Sequence, residues 1–396
     1  MKLLLINSVC GTGSTGRIVS DIWRMQKDMG NDVKVAFGIG QPYYVAKEDV
    51  YKISNKLDYY IHNALSRITD RAGFYSKICT RRLINYIKDY NPDVIHLHNL
   101  HGYYINIQIL FKYLNSTDIK LVWTIHDCWP ITGHCVHFDY FGCTKWEKQC
   151  YACKYKTSYP KSYFMNQSKR NFLQKKYLFT QKKIHITVPS NWLKNVIQRS
   201  YLGKSDIDVI QNGLNLNYFR PIKTDYRHRY KLLDKKIVLA VSNVWNQKKG
   251  IFDLIELSKS LSSKFQLIII GVNNKQRHLF PKNVLLFERT NNIEELVKWY
   301  SEADVFVNPS YEETMGMTTY EALACGTPAI VYDRTALPEA INLKNGKIVD
   351  AGNIKKLKNA VYEVCERNYV DVRDSVKHID EKIITKKWLN LYREDN

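Results

Sequence analysis

Two glutamates in the C-terminal half, Glu313 and Glu321, have a spacing suited to the two ends of an elongated, hydroxyl-rich ligand. If the whole interval were helical, its eight steps would rise about 12 Å. The carboxylate pair of a glycoside hydrolase lies closer, roughly 5 to 9.5 Å apart. The spacing therefore argues against two acids that flank a single bond. Two surface glutamates near a helix start remain the alternative, because acids are favoured there in any case.

The backbone around these glutamates predicts a ligand-binding loop. An apolar run at residues 305–307 is typical of a buried parallel strand, which Pro309 ends. A helix is predicted after Gly316 and ends at Gly326. Amides near Gly316 and Met317 could donate to hydroxyls or to a phosphate. In open α/β sheets, ligands bind where such loops leave the strand ends.

This stretch resembles the E-x7-E signature of the retaining glycosyltransferases of family 4, in the pattern P-S-x-x-E-x-x-G-x-x-x-x-E-A-x-A-x-G-x-P. The resemblance implies the GT-B architecture, an α/β fold of two Rossmann-like, doubly wound parallel-sheet domains that face a central cleft. It also implies that the first acid and the following amides hold the donor sugar of a nucleotide sugar, and that the second acid holds the ribose. The residues that receive these donor-binding roles are Glu313, Thr314, Met315, Gly316, Met317 and Glu321.

A second donor-binding segment follows the predicted strand at residues 237–242. In the family, an arginine after this strand and a lysine before a glycine bind the donor diphosphate. Lys249 matches the lysine, but Asn243 or Val244 stands where the arginine is expected, so Lys248 is a substitute cation. A lysine before a helix start is a suitable phosphate ligand.

Two further residues, Arg289 and Thr290, follow a predicted strand that resembles the family segment whose backbone reads the base. We predict that both contact the nucleotide.

The N-terminal half begins with a predicted strand at residues 3–6 and a glycine loop that contains Gly11, Gly13 and Gly16. A dinucleotide site would need an acid at the end of the second strand, and the strand at residues 33–38 ends without one. The resemblance instead places this loop near the donor phosphate or the acceptor. Gly13 and Gly16 are assigned there.

Two histidines follow predicted strands of this half. His126 lies in a T-x-H-D run similar to the family's cleft histidine, which contacts the donor sugar or its phosphate, and His98 is assigned to the acceptor. A single histidine is more often structural, and that alternative stays open for both. The predicted catalytic residues are His126, Lys249 and Glu313.

A cysteine-rich insert at about residues 134–153 carries four thiols at the spacing C-x7-C-x6-C-x2-C. In a reducing compartment such thiols suit a structural, tetrahedral Zn²⁺ site better than disulfides. Reduced structural thiols are the alternative. Some capsule and O-antigen glycosyltransferases look similar in this segment. The predicted ligands are Cys135, Cys143, Cys150 and Cys153.

The net charge of +21 is concentrated in the first half of the 396 residues. Residues 1–204 hold 30 Lys and Arg against 13 Asp and Glu, whereas the rest holds 29 against 25. This asymmetry predicts an anionic partner, such as a lipid surface or a phosphate-bearing substrate. No apolar run approaches the roughly 20 residues of a membrane span. We expect a cytoplasmic protein that is peripherally associated with the membrane.

Two basic stretches, residues 56–90 and 161–183, are predicted to be helical. In both, an interfacial surface and an ordinary solvated helix face are alternatives. The periodicity of the first stretch predicts a core-facing side formed by Leu57, Tyr60, Ile61, Ala64, Leu65 and Ile68.

The predicted acceptor domain comprises residues 1–203 and a C-terminal helix at about 377–396, and the predicted donor domain comprises residues 204–376. The predicted function is retaining transfer from a UDP- or GDP-sugar to a polyprenyl-diphosphate-linked saccharide in bacterial surface polysaccharide biosynthesis. No metal cofactor is expected at the diphosphate and no nucleic-acid partner. A sugar-nucleotide epimerase of the same architecture and a zinc-containing nucleic-acid-binding protein are the alternatives.

Overall fold

The computed structural model describes residues 1–394, so the last two residues of the predicted C-terminal helix lie outside the described part. The chain divides into two compact units. The N-terminal unit comprises residues 1–211 and the chain from residue 385 on, and the C-terminal unit comprises residues 212–384. Within residues 1–394, no helix is both long and apolar enough to cross a membrane.

The N-terminal unit contains a seven-stranded parallel sheet in the order β3-β2-β1-β4-β5-β6-β7. Its first strand is an uninterrupted apolar run that is buried from Leu3 to Ile6, because helices cover both faces of such a sheet. The strands are β1 (Lys2–Asn7), β2 (Asp32–Phe37), β3 (Val50–Lys52), β4 (Val94–Leu97), β5 (Lys120–Thr124), β6 (His185–Val188) and β7 (Ile207–Val209). The helices are α1 (Gly13–Asp28), α2 (Lys56–Thr69), α3 (Lys77–Tyr90), α4 (Ile107–Leu114), α5 (Lys145–Lys148), α6 (Ser168–Phe179) and α7 (Asn191–Gln198).

The C-terminal unit contains a six-stranded parallel sheet in the order β10-β9-β8-β11-β12-β13. The strands are β8 (Lys236–Val241), β9 (Phe265–Ile270), β10 (Leu285–Phe287), β11 (Val305–Asn308), β12 (Ala329–Tyr332) and β13 (Gly346–Val349). The helices are α8 (Tyr226–Arg229), α9 (Ile251–Ser260), α10 (Ile293–Glu302), α11 (Met317–Ala324) and α12 (Ile354–Glu366).

Each sheet reverses its direction of growth once, between β1 and β4 in the first and between β8 and β11 in the second. Such a reversal is where doubly wound sheets bind ligands, beyond the carboxyl ends of the two strands. The predicted pair of doubly wound α/β domains is confirmed. The last helix, α13 (Glu381–Arg393), also returns to the first sheet, where Tyr392 contacts His96 of β4.

Helix α2 reverses the burial that its periodicity predicts. The predicted core-facing side is exposed, with 68% of Leu57, 65% of Tyr60 and 50% of Ile61 accessible. The residues that α2 buries are His62 and Ser66. The prediction of a core face there is therefore wrong, and the exposed set (Leu57, Tyr60, Ile61, Ala64, Leu65 and Ile68) is called the α2 stripe below.

Hydrogen bonds explain why the polar side of α2 faces inward. The Nδ1 of His62 lies 2.7 Å from Ser76 Oγ, and its Nε2 accepts from the Gly73 amide at 3.2 Å. Ser76 Oγ donates to Asp58 at 2.6 Å. Both ring nitrogens are thus paired, and burial lowers the pKa of His62 to about 3. A neutral, fully bonded imidazole can occupy the interior at little cost.

The predicted helical stretches are also shorter than expected. Residues 56–90 form two helices, α2 and α3, separated by a turn at residues 70–76. In the stretch at 161–183, the helix α6 begins only at Ser168, and residues 161–167 form an irregular loop.

Candidate active site

Two lysine–glutamate ion pairs lie side by side at the carboxyl ends of β8 and β11. Lys249 Nζ donates to Glu313 Oε1 at 2.5 Å, and Lys248 Nζ lies 2.7 Å from Glu312 Oε2. The Glu312 side chain is only 3% exposed, whereas that of Glu313 is 20% exposed. The Glu313 carboxylate of the outer pair is therefore accessible to a ligand and the Glu312 carboxylate of the inner pair is enclosed by protein, while the two lysine side chains are exposed to a similar degree.

Backbone contacts hold the two loops against each other. The Tyr311 amide donates to the carbonyl of Lys248 at 2.8 Å. Gly250 has a φ of +76°, and a Cβ there would lie 2.2 Å from the carbonyl oxygen of Pro309. Any residue other than glycine would push the loops apart, so this glycine sets the distance between the lysines and the glutamates.

Helix α11 begins directly after the glutamate loop. Gly316 precedes it with a φ of +79°, and a Cβ there would lie 2.7 Å from Leu337 Cδ2. Asn308 Nδ2 donates to Thr319 Oγ1 at 3.0 Å, which ties the strand end to the helix. The first amides of a helix have no intrahelical acceptor, so residues 316–318 can offer donors to an anion beside Lys249.

The second predicted acid, Glu321, lies within α11, whereas Glu313 precedes the helix, so a fully helical interval does not describe their separation. Glu321 Oε2 accepts from the hydroxyl of Tyr300 at 2.8 Å, and Tyr300 is fully buried. Burial, followed by the neighbouring Glu321, raises the pKa of Tyr300 well above its usual value. Tyr300 therefore stays a neutral donor that orients this carboxylate.

The remaining predicted donor residues occupy different places. Met315 is buried, and its sulfur accepts from the Asn212 amide at 3.3 Å. Asn243 is exposed just after β8, and Arg289 and Thr290 follow β10 at the edge of the sheet. Thr314 is half-buried in the glutamate loop.

In the N-terminal unit, a cluster of imidazoles lies at the ends of β4 and β5. His98 Nδ1 and His126 Nε2 are 3.0 Å apart. His96 bonds through Nδ1 to Tyr392 at 2.7 Å and through Nε2 to Thr124 at 2.6 Å. Burial lowers the pKa of His126 to about 4 and that of His98 well below its usual range. Both predicted histidines are therefore neutral at physiological pH and can bind hydroxyls without attracting charge.

A carboxylate–imidazole pair, which we did not predict, adjoins these histidines. His101 Nε2 lies 2.6 Å from Asp127 Oδ2, and Asp127 Oδ1 accepts from the Trp129 amide at 2.8 Å. Burial alone would raise the pKa of Asp127, but the charge and hydrogen bond of His101 outweigh it and lower that pKa to about 2. The sequence contained a signal for this pair, because His101 follows His98 by three residues and Asp127 adjoins His126.

The glycine loop after β1 is closed by a hydrogen bond from the Gly11 amide to the carbonyl of Gly16 at 2.9 Å. A Cβ at Gly16 would lie 3.0 Å from Val9, so this glycine permits close packing. A Cβ at Gly13 would meet nothing within 4 Å. Of the two assigned glycines, Gly13 is the one beside open space.

The predicted zinc site is not supported. The four cysteines are free thiols, and no group of three or more His, Cys, Asp or Glu side chains among residues 1–394 is placed to hold a metal ion. Burial raises the pKa of Cys150 to about 11, so its thiol stays protonated. Polar contacts hold the insert instead. His134 Nδ1 lies 2.5 Å from Asp70, and the buried Lys175 donates to the carbonyls of Trp129 and Thr132.

Comparison with known proteins identifies the family. Residues 15–218 match Glycosyltransferase Family 4, and residues 222–382 match Glycosyl transferases group 1. The chain belongs to glycosyltransferase family 4. It is therefore a transferase, and the expected enzyme class is confirmed.

Individual relatives of this glycosyltransferase are distant. The putative colanic acid biosynthesis glycosyl transferase WcaC of Escherichia coli is 23% identical over 371 residues, which cover 90% of this chain and 89% of that protein. The N,N'-diacetylbacillosaminyl-diphospho-undecaprenol alpha-1,3-N-acetylgalactosaminyltransferase of Campylobacter jejuni is 27% identical over 48% of this chain and 55% of its own. The crystal structure of Anabaena Alr3699/HepE in complex with UDP and glucose has a TM-score of 0.68 at 12% identity, and covers 99% of both chains. This last likeness supports the GT-B fold.

Proposed function

We propose that this glycosyltransferase moves a sugar from a nucleoside-diphosphate sugar to a saccharide acceptor with retention of anomeric configuration. The observation that carries the proposal is the accessible Lys249–Glu313 pair beside the start of α11, at the reversal point of the second sheet. This arrangement offers a cation, helix amides and a carboxylate to one ligand. A nucleotide sugar needs all three, for its diphosphate and for its sugar hydroxyls.

Donor binding would exchange the partners of the outer ion pair. The Lys249 ammonium turns from Glu313 to the diphosphate, and the released carboxylate accepts hydrogen bonds from the sugar. Lys248 is held by the buried Glu312 and supplies a second positive charge. Glu321, oriented by Tyr300, binds the ribose. The UDP and glucose bound by the structurally similar HepE favour this assignment of the ligand.

The transfer step breaks the bond between the anomeric carbon and the diphosphate oxygen and forms a bond to the acceptor oxygen. Lys249 and the amides at the start of α11 stabilise the charge that develops on the departing diphosphate. We propose a same-face displacement in which that diphosphate takes the acceptor's proton. The neutral histidines His98 and His126 would bind saccharide hydroxyls.

The proposed acceptor is a polyprenyl-diphosphate-linked saccharide at the cytoplasmic face of a membrane, in capsule or O-antigen synthesis. Two observations support it. The named acceptor of the Campylobacter relative is a diphospho-undecaprenol-linked sugar, and WcaC is named as a putative colanic acid biosynthesis glycosyl transferase. The basic charge of residues 1–204 also suits an anionic membrane surface.

The test combines thermal stabilisation by UDP, GDP and their sugars with a transfer assay on membrane-extracted acceptor lipid. We expect stabilisation by one nucleotide family and turnover that Glu313→Ala reduces by about a hundredfold or more. The matched control is Glu256→Ala, because Glu256 forms an exposed ion pair with Lys259 in the same unit.

Three outcomes would contradict the proposal. One is the absence of stabilisation by any nucleotide, and another is unchanged turnover in Glu313→Ala. The third is conversion of the sugar nucleotide without an acceptor, which would indicate an epimerase.

A further inference from the structure

The α2 stripe is part of a larger exposed apolar surface. The loop at residues 162–165 runs along the C-terminal end of α2, where the Tyr163 and Met165 amides donate to the carbonyls of Arg67 and Ile68 at 2.8 and 3.0 Å. These carbonyls belong to the last turn of the helix, which lacks intrahelical donors. Tyr163, Phe164 and Met165 are 49%, 73% and 49% exposed. The α2 stripe and residues 163–165 together are called the outer apolar face.

Polar contacts hold this face in place. Lys156 Nζ donates to the carbonyls of Tyr163 and Phe164 at 3.2 and 2.7 Å. Asp70, at the end of α2, accepts from the Gln167 amide at 2.7 Å. The His62 network prevents α2 from turning its apolar side inward. The exposure is therefore built into the fold by paired side chains on the opposite side of the helix.

The chain segment that supplies residues 163–165 carries charge of one sign. Residues 148–205 contain 13 Lys and Arg and no Asp or Glu. Lys161, Lys169 and Arg170 are exposed beside the loop, and Arg67 is exposed on α2 itself. A shallow groove with Lys169, Arg170 and Leu173 in its wall adjoins them. Apolar side chains ringed by cations match the acyl and phosphate layers of an anionic bilayer.

We propose that the outer apolar face inserts into the surface of a bilayer that contains anionic lipid. A second copy of the chain fits less well, because a symmetric dimer through this face would place the basic segment of one copy against that of the other. Nucleic acid also fits less well, because six of the nine residues of the face are non-aromatic (Leu57, Ile61, Ala64, Leu65, Ile68 and Met165) and leave only Tyr60, Tyr163 and Phe164 for base stacking. Docking would bring the enzyme to a lipid-linked acceptor, and this role of the face rests on the proposed function.

The experiment is co-sedimentation of the full chain with vesicles. Vesicles of phosphatidylcholine are compared with an equimolar mixture of phosphatidylcholine and phosphatidylglycerol. We expect the wild type to bind to the mixture only. The double variant Ile61→Asp/Phe164→Asp should lower the affinity for these vesicles about tenfold or more. Lys161→Glu should weaken binding about fivefold or more at low salt. The control Leu343→Asp alters a residue of the C-terminal unit that is 83% exposed, and it should bind like the wild type.

Four results would overturn the proposal: equal binding to both vesicles, no binding to either, unchanged binding of the double variant, and equal loss in Leu343→Asp. A wild-type dimer that the double variant converts to a monomer, seen by light scattering, would assign the face to self-association. Loss of RNA or DNA binding in the double variant, with no vesicle binding at all, would assign it to nucleic acid. Nucleotide stabilisation is measured on the same preparations, and its absence would overturn the proposed donor without touching the docking face.

Discussion

Polar side chains lie at the carboxyl ends of neighbouring strands in both sheets, after β8 and β11 in one and after β4 and β5 in the other, yet the two sets differ in electrostatic character. At the ends of β8 and β11, four charged side chains form two ion pairs, of which the outer is accessible. At the ends of β4 and β5, neutral imidazoles are buried, and Asp127 is paired with His101. The two sites therefore suit the different ligands proposed for them, an anion in the C-terminal unit and uncharged hydroxyls in the N-terminal unit. Side chains at the strand ends, and not the fold, decide the ligand.

The largest expected effect comes from removing the accessible cation of the C-terminal unit. Lys249→Ala should reduce turnover by about 100- to 1000-fold, because the departing diphosphate loses its nearest positive charge. The matched control Lys259→Ala removes the lysine of the exposed Lys259–Glu256 pair and should leave turnover unchanged. Steady-state kinetics measure both. Equal losses in the two variants would show that charge alone, and not position, explains the effect.

A smaller effect is expected from the N-terminal unit. Asp127→Asn removes the charge that pairs with His101 and should lower turnover about 10- to 100-fold, the value of a charge-assisted hydrogen bond. Nucleotide stabilisation should be unchanged in this variant, since the C-terminal unit is untouched. If Asp127→Asn weakened nucleotide binding as strongly as Lys249→Ala, the assignment of the donor to the C-terminal unit and of the acceptor to the N-terminal unit would be refuted.

A modest effect is expected at the carboxylate assigned to the ribose. Tyr300→Phe removes the hydrogen bond to Glu321 while preserving the buried ring. We expect the KM for the donor to rise about 3- to 10-fold with little change in kcat, because the carboxylate loses the hydrogen bond that orients it. An unchanged KM would mean that the orientation of Glu321 does not depend on this tyrosine.

The last effect concerns stability and leaves turnover unchanged. The pKa of His62 is about 3 in the folded chain against an ordinary value of 6.5, so the unfolded chain binds the extra proton between these pH values. Stability from this group is complete above pH 6.5 and is lost as the pH falls towards 3. His62→Gln should flatten the pH dependence of unfolding by up to about 1.4 kcal/mol per pH unit in that window. Urea unfolding at pH 7.5 and pH 5 gives the free energy of unfolding of the wild type and of His62→Gln. An equal change of this free energy between the two pH values in both proteins would contradict the prediction.

Sequence patterns predicted the fold and the loop and helix that carry Glu313 and Glu321, because both depend on local signals. Apolar runs gave the parallel strands, and the spacing from Pro309 to Pro328 identified the loop and helix α11. The pairing of Lys249 with Glu313 required the sheet order, since β8 and β11 are neighbours in space and far apart in the chain.

The failures have physical causes as well. Periodicity shows which residues of α2 share a face, but not which face is buried, and that choice was made by His62 with partners in the following turn. Thiol spacing could not distinguish a metal site from an insert held by Asp70 and Lys175. Tyr300 and Glu312 carried no motif, because their roles depend on contacts that only the folded chain creates.

The outward orientation of α2 also bears on handling the purified enzyme. Rotating the helix to hide its leucines and isoleucines would remove the hydrogen bonds of His62 and Ser76, and that loss opposes the rearrangement. The purified enzyme should consequently bind micelles of a mild detergent, whose acyl chains would cover the apolar side of the helix in place of a lipid leaflet.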